Sequence, residues 1–279
     1  AVKSKEILAY NSNRGKELIK RYGIKRVPAM VVISGDIGKV VLDSSIFSVS
    51  RGYAVFDKSV PYVDLGSGEI RGLVELKEIW DGKCIDCSSL AGLKTQIEGL
   101  GIKIKDYRII EKSSEEGRSL IKENGRVFVP SLLASRELED YWWIFDKIKS
   151  SFAEKGNYYI FNNPIAPFED ISTGKIKGKV NATYVTDKSC DDCYNITSLK
   201  EIFQNMGVYI SKERYVDISS AEGKALLAKY NITAVPTLTL SKEISDYQIE
   251  EVLKEVGAFE NGEFVFRDLD KLNVKYKKL

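Results

Sequence analysis

Three stretches of this sequence align without gaps: NRGKELIKRYGIKRVPAMVVIS, EEGRSLIKENGRVFVPSLLAS and AEGKALLAKYNITAVPTLTLS. Each sets a glycine thirteen positions before the proline of a Val-Pro pair: Gly15 and Pro28, Gly117 and Pro130, Gly223 and Pro236. The four cysteines of the chain keep the same ruler. Cys84 lies thirty-three positions before Gly117 and forty-six before Pro130, and Cys190 stands at the same distances from Gly223 and Pro236. Spacings held twice over such lengths mean tandem copies of one unit, about 102 to 106 residues apart.

The unit reads as alternating strands and helices. VELKEIW and VNATYVTD are β-rich runs that lead into Cys84-x-x-Cys87 and Cys190-x-x-Cys193. SLAGLKTQIEGLG and ITSLKEIFQNMG carry apolar residues at helical spacing and end on glycine. KIKDYRIIE and SKERYVDIS then read as second strands, the EGK-type segments as second helices, and the Val-Pro opens a further strand. A helix follows (DYWWIFDKIKSSF, DYQIEEVLKEVG), then a short terminal strand, NYYIF or GEFVF.

A CxxC at the start of the first helix, with a Val-Pro forty-six residues later, resembles the thioredoxin superfamily, and the tandem arrangement resembles protein disulfide oxidoreductases and protein disulfide isomerases. The resemblance implies cis bonds before Pro28, Pro130 and Pro236, with Pro130 and Pro236 facing the cysteine pairs. It implies an α/β fold of three tandem thioredoxin-like modules at 1–69, 70–175 and 176–279. The first is truncated, since its first strand, CxxC and first helix would fall upstream of Ala1; those residues were removed, left out of this chain or never there. Two departures stand out. Neither pair has the family's aromatic-Cys-Gly-Pro-Cys form, and the strand pair expected after the proline is replaced by strand, helix, strand. The joints PYVDLGSGEIRG and PFEDISTGKIKG match each other and read as β-runs about a glycine turn.

Composition narrows the functions. Forty-two basic against forty acidic residues leave a net charge of +2, which gives no electrostatic case for nucleic acid or an anionic membrane. No apolar run approaches the length of a membrane span. Histidine is absent, which removes Ser-His and Cys-His nucleophile pairs and HExxH zinc sites. No cofactor is implied.

That leaves the cysteines as redox centres, staples or zinc ligands. A thiol at a helix N-terminus is acidified by the helix dipole and by free N–H groups, which suits it to disulfide exchange. Cys84 and Cys190 would then attack, and Cys87 and Cys193 resolve. The intervening Ile85-Asp86 and Asp191-Asp192 work against this, because a neighbouring carboxylate disfavours the thiolate; Lys83 and Lys188 offset part of the effect. A shared zinc site would need two repeat copies to face each other. Asp187, Asp191 and Asp192 read as acidic residues of a first helical turn rather than as calcium ligands, and Tyr141, Trp142 and Trp143 as a core face with one exposed ring.

Three N-x-T sequons, at Asn181, Asn195 and Asn231, together with cysteines used only in close pairs, point to an extracytoplasmic glycoprotein, secreted or at the cell surface. A glycan on Asn195 would crowd the approach to Cys193. The expected function is therefore a structural cell-surface or filament subunit whose disulfides are staples. The alternative is a thiol–disulfide oxidoreductase acting on protein thiol or disulfide clients. The last expectation is head-to-tail self-association, with the C-terminal strand of one copy laid against the open first module of the next.

Overall fold

The computed structural model describes residues 2–279. Its first stretch contains helix α1 (Asn13–Tyr22) and strands β1 (Arg26–Val27), β2 (Met30–Ile33), β3 (Ser48–Ser50), β4 (Tyr53–Phe56), β5 (Tyr62–Asp64) and β6 (Ile70–Arg71). Next come β7 (Val74–Trp80), α2 (Ala91–Gly99), β8 (Ile104–Glu111), α3 (Glu115–Asn124), β9 (Phe128–Val129) and β10 (Ser131–Ser135). They are followed by α4 (Trp142–Ile148), β11 (Phe152–Lys155), β12 (Tyr158–Phe161), β13 (Phe168–Asp170) and β14 (Lys175–Lys177). The last stretch repeats the pattern with β15 (Val180–Thr186), α5 (Leu199–Asn205), β16 (Ile210–Asp217), α6 (Ala221–Lys229), β17 (Ala234–Val235) and β18 (Thr237–Leu240). It ends with α7 (Glu250–Lys254), β19 (Gly257–Glu260), β20 (Glu263–Phe266) and β21 (Lys277–Lys278). The fold is mixed α/β.

By contact, the chain divides into two compact units. The first takes in the residues up to Lys77 with Ala91–Arg108 and Leu132–Asn162, and the second Glu78–Leu90, Ile109–Ser131 and Asn163–Leu279. The first unit holds the sheets β2-β4-β3 and β1-β5-β6 and most of the sheet β11-β12-β10-β7-β8, whose strands β7 and β8 continue past its limits. The second holds the sheets β16-β15-β18-β20-β19, β14-β13-β9 and β17-β21. Read from the other edge, the two five-stranded orders are the same. β15 pairs parallel with β16 and antiparallel with β18, and around them Tyr184, Leu238, Leu240, Ile196, Phe203 and Phe264 form one buried cluster.

The thrice-repeated glycine has a steric cause. Ser12, Ser114 and Ser220 cap α1, α3 and α6, each hydroxyl accepting the N–H of Gly15, Gly117 or Gly223. The capped turn brings the glycine against the chain that enters it. A Cβ at Gly15, Gly117 or Gly223 would stand 2.2, 2.2 or 2.1 Å from the carbonyl oxygen of Ala9, Glu111 or Asp217.

The peptide bonds before Pro28, Pro130 and Pro236 are cis, and so are those before the joint prolines Pro61 and Pro167. Both joints are hairpins, β5–β6 and β13–β14. Each first strand also pairs with the two residues ahead of a repeat proline: β5 with Arg26–Val27, and β13 with Phe128–Val129. The C-terminal β21 pairs with Ala234–Val235 in the same way, so exchanging it with another copy would require that in-chain pairing to be given up.

Three sequence expectations need correction. By the order of the repeat KEILAY (5–10) reads as a second strand, but it forms none; among the described residues it has no strand partner, and an extended segment without one gains nothing from strand geometry. The single terminal strands are hairpins, β11–β12 and β19–β20, whose first members start at Phe152 and Gly257, the last residues of the stretches read as helix. The cysteine pairs do not open the first helices. α2 begins at Ala91 and α5 at Leu199, because the residues after each second cysteine are drawn into other hydrogen bonds.

Candidate functional site: two disulfide turns

Each cysteine pair closes a turn at the end of a central strand. Cys84 and Cys87 are disulfide-bonded, as are Cys190 and Cys193, with Cα atoms 5.4 Å apart in both. Asp81 and Asp187 shape the turns from the inside. The Asp81 carboxylate accepts the N–H of Lys83, and that of Asp187 accepts the N–H and hydroxyl of Ser189. Carbonyls of the same two aspartates take the N–H of Cys84 at 3.0 Å and of Cys190 at 3.1 Å. A carboxylate at the end of the neighbouring strand adds a further tie. Glu111 accepts from Gly82 N–H at 2.8 Å, and Asp217 from Lys188 N–H at 2.7 Å. Short polar side chains that satisfy backbone donors in this way compete with helix.

The exits of the turns are tied down as well. Ser88 donates its N–H to the carbonyl of Pro167 at 2.9 Å and its hydroxyl to that of Ala166 at 2.8 Å. In the other turn Tyr194 donates its N–H to the carbonyl of Lys275 at 2.9 Å. The segment that pairs with the pre-proline strand thus also holds the residue after the second cysteine.

Burial separates the turns. Cys84 and Cys87 are 5% and 8% exposed, whereas Cys190 and Cys193 are half-buried. Asp86 accepts from Lys179 and, at 2.7 Å, from the Tyr209 hydroxyl, and these bonds, that from Lys179 first, hold its carboxyl below the usual range. Asp192 pairs with Lys275 at 3.0 Å, and Asp191 is exposed. None of the acidic residues expected in a first helical turn lies in a helix: Lys277 and the Ser189 N–H partner Asp187, Lys275 partners Asp192, and Asp191 faces solvent.

Deeper charges differ between the turns. Lys112 lies between Asp81, at 2.8 Å, and Glu169, at 2.6 Å from Oε1. Burial raises the Asp81 pKa, but the hydrogen bonds from Lys112 and from Lys83 N–H outweigh it and leave the carboxyl below its usual range. In the second turn Lys277 donates directly to Asp187, and with the Ser189 bonds it holds that carboxyl down at about 2.

The remaining residues singled out from sequence lie elsewhere on the surface or in the core. Asn181, Asn195 and Asn231 are all exposed. Asn195 Oδ1 accepts the N–H and hydroxyl of Thr197, which leaves its amide nitrogen directed away from the backbone bond. Tyr141 is buried, but Trp142 and Trp143 are both exposed rather than one of them. The Tyr141 hydroxyl accepts from Lys103 N–H at 2.8 Å and donates to the Gly72 carbonyl at 2.9 Å. Tyr247 makes the corresponding pair of bonds with Tyr209 N–H and Gly178. Sequence reasoning missed these anchors, although Asp140-Tyr141 and Asp246-Tyr247 keep the cysteines' own spacing. Among the described residues no group of three or more His, Cys, Asp or Glu stands as a metal site, and no helix is long and apolar enough to cross a membrane.

No protein-family model matches the chain, and no curated protein matches it. Solved structures give distant matches. ERdj5 form I aligns with TM-score 0.19 and 10% identity over 77% of this chain, and full-length ERdj5 with 0.20 and 10% over 75%. A mutant form of AhpF, an alkylhydroperoxide reductase component of Enterococcus faecalis, aligns with TM-score 0.18 and 12% identity, over 61% of this chain and 82% of that one. The chain spans 26% and 28% of the two ERdj5 chains. Likeness at these TM-scores carries no argument about fold or function.

Proposed function

We propose that the chain is a structural, extracytoplasmic protein, a cell-surface or filament subunit, in which the two disulfides lock turns. In this reading it comprises three tandem thioredoxin-like modules, at 1–69, 70–175 and 176–279. The observation that supports it most is the tie between each turn's exit and the following segment, Ser88 to Pro167 and Tyr194 to Lys275. An attacking thiol must reach a sulfur in line with the S–S bond, and a turn anchored at both ends resists the movement that mixed-disulfide formation demands. The cysteines also lack the helix N-terminus that would stabilise a thiolate. Exposed Asn181, Asn195 and Asn231 fit N-glycosylation in the same setting. Head-to-tail association of copies belongs to this reading, and light scattering at rising concentration tests it; a chain that stays monomeric removes the filament part.

The second reading is thiol–disulfide exchange with protein clients, with Pro130 and Pro236 facing the cysteine pairs. The half-burial of Cys190 and Cys193 beside exposed Lys188 favours it at that one turn. An insulin-reduction assay with dithiothreitol separates the two. The structural reading expects no acceleration over dithiothreitol alone and no free thiol in the native protein. Turnover that disappears in Cys190→Ser would overturn it.

A further inference from the structure

The tripeptide Glu-Asn-Gly occurs twice in the sequence, at Glu123-Asn124-Gly125 and at Glu260-Asn261-Gly262. The fold gives the two copies opposite surroundings. Asn124 is the last residue of α3. It is 5% exposed, and its side-chain amide donates to the Leu120 carbonyl at 2.9 Å. Gly125 ends the helix with φ +58°, and its N–H points back at the carbonyls of Ile121 and Lys122. Asn261 and Gly262 instead form the turn between β19 and β20, whose ladder sets Glu260 opposite Glu263. Both are exposed, with φ of +52° and +80°, the conformation for which such tight turns select Asn-Gly. Gly262 is also uncrowded: beyond its chain neighbours, only Lys242 Cβ comes within 4 Å of where a Cβ on it would stand.

We propose that Asn261 is a site of spontaneous covalent modification, deamidation through a succinimide, and that the fold withholds the same chemistry from Asn124. The Gly262 nitrogen attacks the side-chain carbonyl carbon of Asn261. A C–N bond forms, the bond to the amide nitrogen breaks, and that nitrogen leaves as ammonia with the proton given up by Gly262. Water then opens the five-membered ring at one of its two carbonyls, which yields aspartate or isoaspartate. The net change is ammonia for water, with nothing oxidised or reduced. A following glycine favours the attack because no Cβ stands in the way of its nitrogen. Asn124 is denied it, since its amide and the Gly125 N–H are both engaged inside the helix end. Either product adds a carboxylate between Glu260 and Glu263, which pair with Arg267 and Lys229. Those two cations also hold the hairpin to the end of α6, Arg267 through the Tyr230 carbonyl and Lys229 through the Tyr230 hydroxyl. Aspartate tolerates the positive φ and keeps the register. Isoaspartate puts an extra carbon into the main chain of the turn, so Glu260 no longer meets Glu263.

The test keeps the full chain folded in a mildly alkaline buffer, with a parallel sample unfolded in urea, and follows both asparagines by mass spectrometry of peptides cut at intervals. In the folded chain Asn261 should convert about tenfold faster than Asn124 or more, because Asn124 reacts only when the end of α3 opens. In urea the two should convert at similar rates, since the same tripeptide surrounds both. An isoaspartate-specific methyltransferase should label the aged folded chain, and Asn261→Gln should remove most of that label. Equal conversion of the two asparagines in the folded chain would overturn the proposal. So would an Asn261 that stays intact when folded while the urea sample converts, because the hairpin would then protect it. Unequal rates in urea would assign the difference to flanking residues rather than to the fold, and a label undiminished in Asn261→Gln would place the reaction elsewhere; both results count against it.

Discussion

Around Cys84–Cys87 the aspartate that shapes the turn meets a lysine just past the end of β8, and that lysine is shared with a glutamate on β13. Around Cys190–Cys193 the corresponding aspartate meets a lysine on β21 itself. The substitutions are coupled by position: Ile218 stands where Lys112 does, and Lys277 pairs with Val235 as Glu169 pairs with Val129. Both solutions neutralise a nearly buried aspartate. The first uses two anions around one cation and the second one anion with one cation. The difference teaches that the fold requires the aspartate in its turn-shaping role and leaves the source of the counter-charge free.

The largest difference between the turns should appear when the counter-charge is removed. Lys112→Ala leaves Asp81 and Glu169, whose side chains are 8% and 9% exposed, facing each other without a cation. Breaking a buried pair in this way costs about 3 kcal/mol or more, and thermal or urea denaturation should show it. Lys277→Ala leaves one carboxylate that still accepts two bonds from Ser189, so its loss should be clearly smaller. Equal losses would break the comparison. A Lys112→Ile/Glu169→Lys double variant, which copies the second turn onto the first, should recover most of the stability lost in Lys112→Ala.

Much of this was legible in the sequence because steric rules leave marks at fixed spacing. Gly15, Gly117 and Gly223 sit where a side chain cannot, and the glycine–proline ruler located the helices and the strands after the prolines. The joint hairpins were readable from Gly68 and Gly174 at their turns. The place of the cysteines was not. Their distance from apolar helical spacing suggested a cap, but the choice between helix and turn was made by hydrogen bonds from Ser88 and Tyr194 to segments about eighty residues away. No local pattern records such partners. The same holds for β1, β9 and β17, two-residue strands that exist only because β5, β13 and β21 arrive beside them.

Removing the disulfides should affect both turns alike. Each closes a loop with a sequence separation of 3, and on the chain-entropy account such a loop contributes about 2 kcal/mol. Cys84→Ser/Cys87→Ser and Cys190→Ser/Cys193→Ser should therefore lower stability by similar amounts in denaturant titrations without abolishing folding. A loss confined to one pair would mean that the other turn is held without its bond. Rates should separate what equilibrium does not. The half-buried Cys190–Cys193 should be reduced several-fold faster by dithiothreitol than Cys84–Cys87, as mass spectrometry of trapped thiols would read; the reverse order would remove burial as the governing difference.

The smallest effect should lie in acid. Lys277 first, then Ser189, holds the Asp187 carboxyl at about 2, against an ordinary value of 3.8. A carboxyl whose folded pKa is depressed contributes stability that is fully present above the unfolded value and is lost as pH falls through the folded one. The Asp187 contribution should thus be complete at pH 6, begin to fall below about pH 4 and be mostly gone near pH 2. Asp187→Asn keeps a side-chain oxygen for the turn N–H groups and removes the charge. The melting-temperature gap between wild type and Asp187→Asn should therefore be largest at neutral pH and should close as the pH is lowered from 4 toward 2. Lys277→Ala should flatten this dependence, because without the ammonium the folded carboxyl returns toward its ordinary value. A gap that stays constant from pH 6 to pH 2 would show that Asp187 acts through its hydrogen bonds to Ser189 alone, and that the two turns differ in geometry rather than in charge.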